Sequence, residues 1–202
     1  MHHFLQEYPI HSIVIPGTID NDFYGTDATI GFDTDVNTAL EAINKIRDTA
    51  SLHSRLFIIE VMGRTSGHIG LYTGIGGGLK DILIPESPID IQTLVAELDN
   101  QHKAGKQNSI IVLAEGETTG GTAEIKTAIE KVINWDIKVR VLGHAQRGGD
   151  LTAFDRVIAS RLDYESVLAA GNKNHWKSPS KKKIIIGKQV FCFLCHGVFF
   201  YI

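Results

Sequence analysis

Cysteine is almost missing from this chain: its 202 residues contain two, both among the last eleven, which excludes a disulfide scaffold. Proline is sparse at five. The longest apolar run, Val190 to Ile202, is interrupted by His196 and Gly197 and is too short to span a bilayer. Neither sign of charge dominates: the formal net charge is −3 and the pI is near 6.3. Such a balance creates no global field for nucleic acid or anionic membrane, so anion recognition must come from a local cluster of Arg and His. The opening MHHFLQEYPI lacks a basic segment followed by an apolar one, the mark of a secretory signal. A cytosolic chain is expected, with neither nucleic acid nor membrane as partner. What remains, 43% hydrophobic and 21% charged with 20 glycines, is ordinary globular composition, enough for one domain or two small ones.

From Ser12 to about Leu168, short β-branched runs alternate with segments of helical period, the pattern of a parallel sheet with crossover helices. Strands are predicted at Ser12 to Ile15, Leu56 to Val61, Ile82 to Ile84, Ser109 to Leu113 and Lys138 to Leu142. Val36, Ala39, Leu40, Ile43 and Ile46 form one helical stripe, and Ile91, Leu94, Val95 and Leu98 another. For the second, Ser87 is the expected N-cap, Pro88 the first helical residue and Gly105 the end. Further helices are predicted at Thr122 to Asn134 and Thr152 to Leu168, with Thr152 and Asp155 spaced as a capping box. The cluster Gly74 to Gly78 follows a helical stretch without strand-turn-helix context, and reads as a helix-to-strand turn rather than a phosphate loop. After Ala170 the polar, basic GNKNHWKSPSKKK leads into β-prone IIIGKQVFCFLCHGVFFYI.

Chemistry gathers where strands end. IPGTIDND, Ile15 to Asp22, delivers Thr18, Asp20 and Asp22 directly after a predicted strand, at the edge where open parallel sheets bind ligands. One carboxylate can take a proton from a hydroxyl while the other serves a hard cation. Taken alone, T-x-D-x-D is more often an Asx-rich turn. EVMGRTSGH then places Arg64 beside Gly63, LAEG ends a strand in Glu115, and VLGHAQRGG brings His144 and Arg147 at i and i+3 with glycines behind them. Arg and His at one sheet edge point to a phosphate, which Arg grips bidentately.

Together, IPGTIDND, EVMGR and LGHAQRGG with FDRVIASRL closely resemble the ATP-dependent 6-phosphofructokinases, from about Phe4 to Leu168. The resemblance implies a three-layer α/β/α fold with a mainly parallel sheet, incomplete here, and transfer of the ATP γ-phosphoryl group to fructose 6-phosphate in a Mg²⁺-using homotetramer. It implies Asp20 as catalytic base, Thr18 against substrate and transferring phosphoryl, and Asp22 at the metal. It also implies that Met62, Gly63 and Arg64 lie on the sugar, with Arg64 stabilising transition-state charge, that Glu115 binds sugar hydroxyls, and that His144 and Arg147 clamp the 6-phosphate. Arg55 corresponds to an arginine donated to a neighbouring subunit, and Lys138 stands where a second such arginine is usual. Gly17 replaces the lysine common in pyrophosphate-using relatives, which favours ATP as donor. The expected organisation is a nucleotide-domain remnant at 1–30, a fructose 6-phosphate domain at 31–143, a return segment at 144–170 and a divergent tail at 171–202.

Departures accompany the match. The Gly-rich loops that hold ATP in the family are not among these residues. Arg47, Gly78 and Lys106 match an effector pocket, but Lys80 replaces a glutamate there, and Asp150-Leu151 replaces a usual Ser-Pro. CFLCHG contains the C-x-x-C-H haem-attachment pattern, yet export is not indicated, and foreign sequence is the expected explanation of the tail. The residues leave open an active phosphotransferase fragment, a non-catalytic sugar-phosphate-binding remnant, a pyrophosphate-dependent relative, and a half completed by a separately encoded partner.

Overall fold

The computed structural model describes residues 15–50, 55–106, 108–116, 121–171, 185–187 and 190–192. The chain divides into two compact units, Asp33–Asp150 and the joined segments Met1–Phe32 and Leu151–Ile202.

The first unit is built on four strands: β1 (Arg55–Val61), β2 (Asp81–Leu83), β3 (Ser109–Ala114) and β4 (Asp136–Val141). All pairs are parallel, in the order β2-β3-β1-β4, as the alternating sequence pattern requires. RLFIIEV and SIIVLA are buried along almost their whole length, which is why they read as unbroken apolar runs rather than alternating ones. At the edge, β4 instead exposes Lys138 and Arg140, charges that discourage edge-to-edge pairing. The helix α1 (Phe32–Ala50) precedes β1, and α2 (His68–Gly76), α3 (Ile91–Lys103) and α4 (Gly121–Glu130) each lie between successive strands in the chain. Leu94, Val95 and Leu98 of α3 and Ile125 and Ile129 of α4 join Leu56, Ile58, Ile111 and Leu113 in one core. Against β2, α2 approaches closely: a Cβ on Gly74 would lie 2.4 Å from Ile82 Cδ1, so this glycine serves helix-to-strand packing.

Several predicted boundaries move for local reasons. Asp90, not Ser87, caps α3: its carboxylate accepts from the Thr93 N–H at 3.0 Å, while the Ser87 N–H is engaged at 3.2 Å by the Ile84 carbonyl in a tight reversal. Pro88 therefore precedes the helix instead of opening it. α4 stops at Glu130 rather than Asn134, where the Val132 N–H takes a tighter i−3 bond to the Ile129 carbonyl, which it shares with the Ile133 N–H. Ile133 and Trp135 are thereby buried. Gly105, with φ of +91°, ends the α3 region as expected.

In the second unit, α5 (Ala153–Gly171) buries Ile158 and Leu162 against Ile15, Ala28 and Ile30. Thr152 Oγ1 accepts from the Asp155 N–H at 3.2 Å, one arm of the predicted capping box. The buried Asp155 carboxylate accepts from the Gly31 N–H at 2.9 Å and ties the segment after the aspartate loop to the start of α5. The tail contributes an antiparallel pair, β5 (Ile185–Gly187) and β6 (Val190–Cys192). The predicted strand at Ser12, apart from Ile15, and Cys195 and His196 of the haem-like pattern lie outside the described residues.

Candidate functional site

Because β1, β3 and β4 are adjacent and parallel, the residues that follow them emerge at one edge of the sheet. After β1 the backbone turns sharply: Gly63 has φ of +140° and Arg64 φ of +52°, the latter uncommon for a residue with a side chain. A Glu115 carboxylate oxygen holds this turn by accepting from the Arg64 N–H at 2.7 Å. Glu115 is itself fixed after β3 by its N–H to the Val61 carbonyl at 3.0 Å. Gly116 completes the lock, for a Cβ there would fall 1.8 Å from the Arg64 carbonyl oxygen. Met62, Gly63, Arg64 and Glu115 are thus one substructure, with the Arg64 side chain exposed to solvent.

β4 ends in a 3-10 helix, Gly143–Gly148, which carries His144 and Arg147, both exposed. Between them Gln146 points inward and is 1% exposed. Its Oε1 accepts from the Met62 N–H at 2.9 Å and its Nε2 donates to Asp35 Oδ2 at 2.7 Å. Close behind, a Cβ on Gly149 would meet Thr38 Oγ1 at 1.9 Å, so the turn lies directly on α1. Gln146, Asp35 and Gly116 were not among the residues singled out from sequence. One signal was present: Asp35 precedes Ala39 and Ile43 at i+4 and i+8, which puts a carboxylate on an apolar helical face.

The aspartate loop belongs to the other unit. Thr18 Oγ1 accepts from the Asp20 N–H at 3.2 Å. The fully buried Thr29 donates its hydroxyl to the Thr18 carbonyl at 2.6 Å, and its N–H to Asn21 Oδ1 at 2.9 Å. Asn21 sits at φ of +50°, a conformation Asn tolerates better than most residues. Asp20 is 4% exposed, whereas Asp22 is open to solvent. A Cβ at Gly17 would meet nothing within 4 Å, and its φ is not positive, so the backbone does not demand glycine there. Among the described residues no three His, Cys, Asp or Glu gather as a metal cage. One exposed carboxylate fits a Mg²⁺ ion that keeps most of its shell as water and substrate phosphate.

Two predicted sets lie away from the Arg64 edge. Arg55 and Lys138 meet on Asp136, at 2.9 Å and 2.8 Å, and these cations hold its carboxyl below the usual carboxylate range. They sit at the amino end of β1 and β4, roughly 20 Å along the seven-residue strand from Arg64. Arg47, Gly78 and Lys106 line a cavity of about 290 Å³, with Lys80 and Ser109, where β2 and β3 begin. Lys106 Nζ donates to Gln101 at 2.6 Å and Ser109 at 3.2 Å, and Arg47 donates to the Gly77 carbonyl.

The model of the phosphofructokinase family matches residues 1–170. An ATP-dependent 6-phosphofructokinase of Thermus thermophilus is 51% identical over 165 residues, covering 82% of this chain and 51% of that protein. The corresponding Bacillus licheniformis protein is 52% identical over 158 residues, covering 78% and 49%. The solved structure of Pichia pastoris phosphofructokinase in the T-state superimposes with a TM-score of 0.77 at 33% identity, over 90% of this chain and 21% of that one. The chain spans about half the length of the curated relatives it matches. With five-sixths of its residues under the family model and the motifs EVMGR, LAEG and LGHAQRGG following strands of one parallel sheet, this chain belongs to the phosphofructokinase family.

Proposed function

We propose that the chain is the fructose 6-phosphate half of an ATP-dependent 6-phosphofructokinase. The observation that carries this reading is the shared edge of β3, β1 and β4, where the locked Arg64–Glu115 turn and the His144–Arg147 helix are joined through Gln146. In this reading Arg147 and His144 clamp the 6-phosphate, Glu115 receives sugar hydroxyls, and Arg64 offsets charge on the transferring phosphoryl group. Asp20, buried and tied at its N–H, accepts the proton of the sugar 1-hydroxyl, with Thr18 beside it. Mg²⁺, near Asp22, would supply further charge neutralisation. Phosphoryl transfer needs mainly positioning and electrostatics, which is what these residue types offer. The open space at Gly17 supports ATP as donor, since a lysine could be housed there and is not used. Arg55 and Lys138, away from this edge, would serve neighbouring subunits of a homo-oligomer, a tetramer in the family resemblance. The cavity of Arg47, Gly78 and Lys106 would take an anionic effector.

Calorimetric titration with fructose 6-phosphate tests the reading. The chain binds, and Arg147→Ala weakens binding by about 1.5–3 kcal/mol, the worth of a charged hydrogen bond. Absence of saturable binding overturns the assignment. ADP release, measured with an Asp20→Ala control, stays near background in the chain alone, because unfixed ATP forfeits much of the ~7–11 kcal/mol that positioning contributes. Robust turnover abolished by Asp20→Ala would show that these residues suffice for catalysis.

A further inference from the structure

Gln146 is the one fully buried side chain of the 3-10 helix that carries His144 and Arg147. Its amide uses an acceptor and a donor in opposite directions. Oε1 receives the Met62 N–H, at the root of the Gly63–Arg64 turn, and Nε2 gives to the Asp35 carboxylate in the first turn of α1. The last backbone link between β1 and the turn after β4 is the Leu142 N–H to the Glu60 carbonyl at 3.0 Å; beyond it, one planar group spaces the end of β1, that turn and α1. A buried hydrogen bond to a carboxylate is stronger than a neutral one, and Asp35 is itself 1% exposed, so the link has little freedom to lengthen.

We infer that Gln146 is a positioning residue, which sets the distance between the Arg64 turn and the His144–Arg147 helix, with Asp35 as its fixed anchor. This inference rests on the fructose 6-phosphate reading for its ligand, and adds a residue that touches no substrate. Its polarity is specific. Only a group with an acceptor toward Met62 and a donor toward Asp35 fits, and the pair works equally with acid and amide exchanged.

That symmetry supplies the experiment. Gln146→Glu keeps shape and the acceptor for Met62 but sets a second carboxylate against Asp35. Fructose 6-phosphate affinity, measured calorimetrically in the intact chain, falls at least tenfold at pH 8. It recovers relative to wild type at each lower pH as a proton is shared between the two acids. Adding Asp35→Asn places the donor on the other side, and the double variant Gln146→Glu/Asp35→Asn returns to within about threefold of wild type at pH 8. Amide exchange at Met62 follows the same order: protected in wild type and double variant, and faster in Gln146→Glu, because repulsion from Asp35 pushes the introduced carboxylate off the Met62 N–H. Equal affinity of wild type and Gln146→Glu at pH 8, or a double variant no better than the single one, overturns the inference while leaving the substrate reading intact. Failure of the wild type to bind fructose 6-phosphate overturns the substrate reading, and this inference with it. Gln146→Met, which removes both hydrogen bonds without adding charge, covers the case in which Gln146→Glu fails to fold. It must weaken binding several-fold and speed Met62 exchange, and unchanged values for both overturn the inference.

Discussion

Asp81 shows how one carboxylate can work against the fold. It opens β2 at 7% exposure, its Oδ2 has no hydrogen-bond partner among the described residues, and burial pushes its carboxyl above the usual value. Lys106, the Ser109 hydroxyl and Lys80 oppose that rise, and Glu97 adds to it. A raised native value means that the folded chain keeps its proton longer than the unfolded one as pH increases. Stability therefore falls through the window between the ordinary Asp value and the raised one. Asp81→Asn removes the charge at nearly constant shape. We expect a Tm a few degrees higher at pH 7, where about 1 kcal/mol corresponds to about 2–4 °C, and a difference that closes toward pH 4. A gain that is constant across pH would mean that the charge is not the cause. Asp81 attracts no notice in the sequence because DIL is an unremarkable strand start, and the penalty arises only once folding buries it beside β3. Gln146 escaped for the same reason. It stands between His144 and Arg147 in a polar motif, and only the tertiary position of Asp35 turns it inward.

Glycine matters at the elements only where another chain segment comes close. Gly116→Ala drives a methyl group into the Arg64 carbonyl, so the turns after β1 and β3 must separate and the Arg64–Glu115 bond must break. The expected cost is about 1–3 kcal/mol, accompanied, on the proposed function, by weaker fructose 6-phosphate binding. Gly148→Ala, which meets nothing within 4 Å at ordinary φ, should stay within about 0.5 kcal/mol of wild type. Paired thermal melts decide this, and equal costs at the two positions would refute the packing argument. Such local facts also mark what could be read in advance. The β-branched runs of β1 and β3 are dictated by burial on both faces, and the stripe Leu94, Val95 and Leu98 by one helical face, so both are legible without coordinates. Helix ends are less so: Ser87 and Asp90 are both good caps in isolation, and the Ile84–Ser87 reversal selects between them. The strand-end motifs were legible as a set, whereas the backbone lock between Arg64 and Glu115 depends on a register that no spacing encodes.

Among the described residues, buried apolar material is unevenly divided. Asp33–Asp150 contains a continuous buried core running from Leu56 to Ile137, whereas the described core of the other unit centres on Ile158 and Leu162. The segment Asp33–Asp150 produced by itself should therefore keep a cooperative thermal transition with a near-UV circular dichroism signal from Trp135. A broad, non-cooperative melt would show that its core needs the rest of the chain. Strand order carries a consequence for synthesis. β1 lies between β3 and β4, and β2, the next strand made, belongs at the far side of β3. As the nascent chain leaves the ribosome, RLFIIEV has no neighbour until Ser109–Ala114 emerges, roughly fifty residues later. At about 5–20 residues per second that interval is about 2–10 s, during which a strand that ends up almost wholly buried is without its lateral partners. Translation speed across α2 and α3, and the chaperones waiting at the exit tunnel, therefore bear more directly on the yield of folded protein than any single contact in the finished sheet.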